Sequence, residues 1–263
     1  MNLTIPEIQT YLYCPYQYKL RYVDGLDQEK EGSRAYKEAM HKAIYSFYYA
    51  LLDGRIMTPK QMKDKWASIW AEYRYSGEDL VQSLFEERQV LKYRSYEIDK
   101  RDYNMEGFKS LMDFHRKNNK NPGVPIAINH DYRVSIDGIN VSGTFELVRE
   151  LNDKDQQNRY IDIVDFRMGN EMSDPMLLQQ DLHSTVASYA FRNLFQKKED
   201  RMVLSFLKKG TEYEVHKTEE DYNRMKSIIK GVANGIERKE FYPRHTFLCK
   251  SCPVKDICQA SKF

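Results

Sequence analysis

The stretch "PIAINHDYRVSIDGINVSGTFELVREL", residues 125–151, alternates apolar and polar side chains on both sides of Asp137-Gly138. A period of two sends successive side chains to opposite faces of a strand, and Asp-Gly accepts the positive φ values of a two-residue hairpin turn. The segment predicts two antiparallel strands, and the fold class depends on them.

Working downstream, "RYIDIVDFRMG" (159–169) reads as a third strand. Ser173, Asp174 and Pro175 form a helix start, and "MLLQQDLHSTVASYAFRNLF" continues that helix to about Phe195. "RMVLSFLKKGTEYEVHK" (201–217) predicts two short strands around Lys209-Gly210, and Thr218 opens a helix to about Lys239.

Upstream the period is helical. Residues 32–53 place Met40, Ile44, Tyr48 and Leu51 on one face. In "TPKQMKDKWASIWAEYRY" (58–75), Thr58 is a candidate N-cap with Pro59 at the first helical position, and Met62, Trp66, Ile69, Trp70 and Tyr73 follow. Residues 78 to about 119 also read as helix, with Met105, Phe108, Leu111 and Phe114 three or four apart, until "NKNPGVP" (119–125) stops it. Helices, three strands, helix, strands, helix and tail together predict an α/β fold: a central mixed sheet flanked by helices, with a helical N-terminal extension. The 263 residues read as a single domain, divided into a helical part (1–120), a core (121–240) and a cysteine-rich tail (241–263).

Lys plus Arg number 41 against 39 Asp plus Glu, so the chain lacks the bias of a protein that wraps nucleic acid by charge alone. Any nucleic-acid site must be local. No run of eighteen apolar residues and no basic, apolar leader is present, which predicts a cytoplasmic protein without membrane contact. No Walker A motif is present either, so any unwinding falls to a partner.

The tail "CKSCPVKDIC" holds Cys249, Cys252 and Cys258, while the fourth cysteine, Cys14, stands alone inside "YLYCPYQYKLRYV" (11–23), which reads as a tyrosine-rich helical segment. Three thiolates at this spacing can converge on a soft metal centre that needs a fourth ligand, and Cys14 is the remaining cysteine. Closing that loop would stabilise the fold by about 5 kcal/mol, by analogy with disulfide loops. Zinc and an iron–sulfur cluster both suit four thiolates, and a buried apolar thiol is the plainer reading of Cys14.

"IPEIQTYLYCPYQYKLRYVDGL" (5–26) and "FYPRHTFLCKSCPVKDIC" (241–258) resemble the opening and closing motifs of the RecB-like nucleases of the PD-(D/E)XK superfamily that carry a four-iron, four-sulfur (4Fe-4S) cluster. These include the CRISPR-associated iron–sulfur exonucleases and the AddB nuclease domain. The resemblance implies a PD-(D/E)XK core and a structural 4Fe-4S cluster held by Cys14, Cys249, Cys252 and Cys258.

Between the cysteines, "YKEAMHKAIYSFY" resembles the family's histidine motif and implies His41 as a metal ligand. "SGTFELV" places Glu146, and "IDIVDFRMG" places Asp165, at the two carboxylate positions. With the carbonyl of Phe166 they imply a Mg or Mn site. In "LQQDLHSTVA", Gln179 and His183 match a glutamine and tyrosine that position substrate. Without the resemblance, His41 reads as a core or surface histidine and the two acids as solvated surface groups.

Three positions depart from the family pattern: Glu146 for aspartate, Arg167 for lysine and His183 for tyrosine. Arg167 keeps a positive charge for the phosphate but cannot act as a base. The resemblance implies a metal-dependent nuclease cutting single-stranded DNA from an end, alongside a helicase, recombination or integrase-type partner. The alternative is a catalytically degenerate subunit that binds DNA or scaffolds a recombination, replication or CRISPR adaptation complex. A zinc-stapled interaction protein is the third reading. Arg34, Lys37 and Lys42 around His41, and tyrosines able to stack on unpaired bases, are the local features for DNA; each also reads as an ordinary surface or rim residue.

Overall fold

In the hairpin at the centre of the sheet, Asp137 (φ +48°) and Gly138 (φ +83°) join β2 (Val124–Ile136) to the antiparallel β3 (Ile139–Asn152). The computed structural model describes residues 1–26, 31–86, 103–152, 159–169 and 174–262. Antiparallel to β3 runs β4 (Arg159–Arg167); β5 (Arg201–Phe206) is parallel to β4, and β6 (Thr211–Val215) returns antiparallel. The sheet is mixed, as the sequence predicts.

One further strand was not legible in the sequence. β1 (Asn2–Thr4) pairs parallel with Asn140–Ser142 of β3. Three residues are too few for an alternation to register. One edge of β3 is thereby divided: β1 takes its beginning, β4 takes Leu147–Asn152, and β2 runs along the other edge.

Helices cover both faces. α1 (Ile5–Tyr13), α7 (Leu182–Phe195) and α8 (Glu219–Glu237) bury Ile8, Phe191 and Ile229 against one face. α3 (Glu31–Leu52), α4 (Pro59–Glu86) and α5 (Tyr103–Asn118) bury Met40, Ile44, Trp66 and Leu111 against the other. Thr58 closes a capping box with Gln61 at the start of α4, and Thr218 does so with Asp221 at the start of α8.

Three sequence expectations are corrected. The segment 11–23 is not one helix: Cys14 is extended (φ −160°, ψ 108°) between α1 and α2 (Pro15–Tyr18), because a residue before proline is pushed out of the helical region, and a π-helical turn (Lys19–Val23) follows. The helix expected over 78–119 is instead the end of α4 and the whole of α5; residues 87–102 lie outside the described residues, and Met105 is 62% exposed, off the face made by Gly107, Leu111 and Phe114. The helix expected from Pro175 to Phe195 breaks at Gln180-Asp181 into α6 (Pro175–Gln179) and α7, where the Asp181 side chain accepts from Ser184 N–H (2.8 Å) and caps the new helix.

The two ends of the chain meet. Tyr11 Oη donates to the Glu240 carbonyl (2.9 Å) and Tyr16 N–H to that of Tyr242 (3.1 Å). Gly235 in α8 makes room for this contact, since a methyl group there would overlap the Tyr11 hydroxyl. No helix among the described residues is long and apolar enough to cross a membrane.

Candidate active site

The β3–β4 ladder ends at Leu147 opposite Val164, and the next residues are Glu146 and Asp165. At that point the β2–β3 pairing also has a one-residue gap on each strand, with Glu146 opposite Asn129 and the register unchanged across it. Phe145 packs into one core and Leu147 into the other, and Asn129 takes φ +46°, a left-handed value asparagine tolerates. Beyond the last ladder pair the Phe166 N–H donates to Glu146 Oε2. The two acids are set by this divergence of strands.

From the other layer, α3 brings His41. Its Nε2 is buried, makes no hydrogen bond, and lies 3.5 Å from Glu146 Oε1. Burial pulls the imidazole below its ordinary pKa, against the Phe166 carbonyl and the Asp165 charge, so the ring is neutral at neutral pH and keeps a lone pair. Tyr45, whose ring lies 5.8 Å from that of His41, stays protonated because burial, then Glu146 and Asp165, push its hydroxyl up.

The two carboxyls differ. Burial, then the charge of Asp165, pushes Glu146 up to about 8. Burial alone would also raise Asp165, but the charges of His183 and Arg167 and their hydrogen bonds outweigh it and hold the group well below the usual carboxylate range. His183 Nδ1 lies 2.7 Å and Arg167 Nε 2.9 Å from Asp165 Oδ2, and Arg167 Nη2 bonds the same oxygen. Burial would lower His183, yet the Asp165 charge and hydrogen bond raise it to about 9, so the ring is cationic at neutral pH. Arg167 and His183 thus neutralise Asp165, and Glu146 keeps its proton.

The structure therefore brings together His41, Glu146, Asp165, Phe166, Arg167 and His183, though among the described residues no three His, Cys, Asp or Glu side chains stand close enough to hold one ion as they are. Gln179 is not brought in: its amide donates to the His216 carbonyl (2.7 Å) and to Asp221 Oδ2 (2.8 Å), at the start of α8. Two neighbours escaped the sequence reading. Asp181 Oδ1 accepts from Arg167 Nη2 at 2.8 Å. Buried Lys217 donates to the Gln179 carbonyl (2.6 Å), and burial pushes its amine down to about 8 against the pull of Asp181 and Asp221. An Asp inside an apparently continuous helical run was the available signal for the first; nothing marked the second.

The donor set fits a small divalent cation. One neutral imidazole nitrogen without a hydrogen bond, two carboxylates and a carbonyl suit Mn and, with more oxygen from water, Mg. Around His41, Arg34 pairs with Glu38 (2.9 Å) and Lys42 lies 4.8 Å from the Tyr73 ring centre.

At the meeting of the two ends, Cys14, Cys249, Cys252 and Cys258 line one cavity with Tyr13, Arg244 and Leu248. All four are partly buried, and none is in a disulfide. The Arg244 N–H faces Cys14 Sγ (3.4 Å) and the Thr246 N–H faces Cys249 Sγ (3.5 Å), while burial, with some help from the other three cysteines, pushes the Cys252 thiol up. Four soft donors facing one cavity, with backbone N–H groups directed at two sulfurs, are compatible with a thiolate-bound metal centre.

A family model described as the PD-(D/E)XK nuclease superfamily matches residues 2–259. Among solved structures, one titled "Crystal structure of SSO0001" is similar, with 11% identity and a TM-score of 0.40 over 100% of this chain and 87% of that one. No curated protein matches the sequence.

Proposed function

The chain belongs to the PD-(D/E)XK nuclease superfamily, and from that premise we infer that it is a RecB-like, divalent-metal-dependent nuclease that cuts single-stranded DNA from an end, folded as a single nuclease domain. The observation that carries the reading is the buried, hydrogen-bond-free Nε2 of His41 facing Glu146 at the end of the β3–β4 ladder, one strand from Asp165. His41, Glu146, Asp165 and the Phe166 carbonyl would hold Mg or Mn. When bound, the ion neutralises phosphate charge and lowers the pKa of water.

The remaining roles belong to the chain. Arg167, fixed between two carboxylates, directs positive charge toward a phosphate and cannot act as a base. His183, cationic through Asp165, has its Nε2 to offer as a proton donor to phosphate or to the leaving oxygen. Gln179 acts indirectly, by tying the end of α6 to α8. Cys14, Cys249, Cys252 and Cys258 would hold a structural 4Fe-4S cluster, a reading supported by their shared cavity. Iron and acid-labile sulfide near four each, in protein purified without oxygen, are the expected analysis; zinc alone would replace the cluster in this reading.

The test is cleavage of end-labelled single-stranded DNA at limiting Mn across a pH series. Since Glu146 titrates near 8 and a cation must displace its proton, cleavage is expected to rise with pH by up to about tenfold per unit and to level off above about 8. No cleavage at any pH, in Mn or Mg, would sink the enzyme reading. It would leave the degenerate DNA-binding subunit, which the double hold of Arg167 and His183 on Asp165 favours.

A further inference from the structure

The guanidinium of Arg167 is shared. Its Nη2 contacts Asp165 Oδ2 on β4 and Asp181 Oδ1 at the α6–α7 elbow. The elbow is a fixed support rather than a loose loop. Asp181 Oδ1 also caps α7 through Ser184 N–H (2.8 Å), and the Asp181 carbonyl accepts from the Thr185 hydroxyl (2.7 Å). Two residues back, Gln179 is held twice, by Lys217 at its main-chain carbonyl and by Asp221 at its side-chain amide. Asp181 is 18% exposed, Arg167 27% and Asp165 5%, so the pairing lies largely out of water, where such bonds are strongest.

Resting on the nuclease reading above, we propose that Asp181 is a positioning residue of this site: it retains Arg167 when a divalent cation engages Asp165. A cation on Asp165 repels the neighbouring guanidinium and competes for the oxygen that Arg167 holds. With Asp181 in place Arg167 gives up one partner and keeps the other, staying beside the phosphate position. Without it, cation binding would leave a largely buried guanidinium with no carboxylate.

The test is Mn affinity, measured by calorimetry at pH 8 on the whole protein. Asp181→Asn keeps a good helix cap and leaves Arg167 its bond to Asp165, so the thermal midpoint is expected to fall by no more than about 4 °C. Mn affinity is expected to fall about tenfold, the size of one charge-assisted hydrogen bond. In an Arg167→Met background the same substitution should change affinity by no more than about twofold, since the coupling partner is gone. Parental affinity in Asp181→Asn, or an equal loss with and without Arg167, would overturn the proposal; the latter would show that Asp181 acts by its charge alone. A parent that binds no Mn overturns the nuclease reading and this one with it. A parent that binds Mn with the expected coupling but does not cut DNA removes the reaction alone and leaves the role of Asp181 standing.

Discussion

Asp165→Ala is expected to reduce metal-dependent DNA cleavage by at least about a thousandfold, because it removes the proposed ligand that stays ionised at neutral pH, and metal catalysis of this kind is worth several kcal/mol. The substitution has a second consequence that needs no substrate. Asp165 is what keeps His183 charged: with the carboxylate gone, burial dominates, and the imidazole pKa is expected to fall from about 9 to below its ordinary value of 6.5. An NMR titration of His183 reads this directly. A His183 that still titrates near 9 in the variant would mean that the Asp165–His183 pair does not organise the site.

The largest expected effect on stability lies three residues earlier on the same strand. Asp162 is fully buried and accepts from Arg201 Nε (2.8 Å) and Nη2 (3.0 Å), with Arg149 Nε more distant at 3.4 Å. Arg149 is itself buried and also donates to Asn118 Oδ1 (3.0 Å) and Tyr48 Oη (3.2 Å), which ties β3 to α5 and α3. Removing Asp162 leaves the buried Arg149 charged with only neutral partners, while Arg201 keeps Glu214 (2.7 Å). Asp162→Ala is expected to cost about 3–5 kcal/mol, or roughly 10 °C in thermal midpoint for a chain of this size. Below that midpoint, Mn binding should match the parent's, because the network does not include His41, Glu146 or Asp165. A calorimetric scan showing a shift of a degree or less would mean that Arg149 and Arg201 find water or other partners.

These two positions show what the sequence could and could not disclose. Alternation around Asp137-Gly138 and the caps at Thr58 and Thr218 were legible because each depends on neighbours in the chain. The helix faces of Met40 and Trp66 were legible for the same reason. The resemblance supplied His41, Glu146 and Asp165, which three separate elements bring together. What escaped depends on distant contacts. β1 exists only because β3 offers it an edge, and the gap in the ladder at Glu146 lies opposite Asn129 on β2. The break before Asp181 was hidden because "LLQQDLHSTVA" keeps a helical period through the residue that ends one helix and caps the next. Gln179 shows the opposite failing: its place in a motif was readable, but the turn of its amide toward Asp221 is set by the α8 capping box, forty residues on.

The measurement that bears most directly on the central claim is an anomalous-scattering map from crystals of the whole protein soaked in Mn at pH 8.5, above the Glu146 pKa of about 8. One strong peak is expected, bonded to His41 Nε2, Glu146 and Asp165, with Arg167 turned toward Asp181. No peak there, with Arg167 and His183 still closed on Asp165, would contradict it.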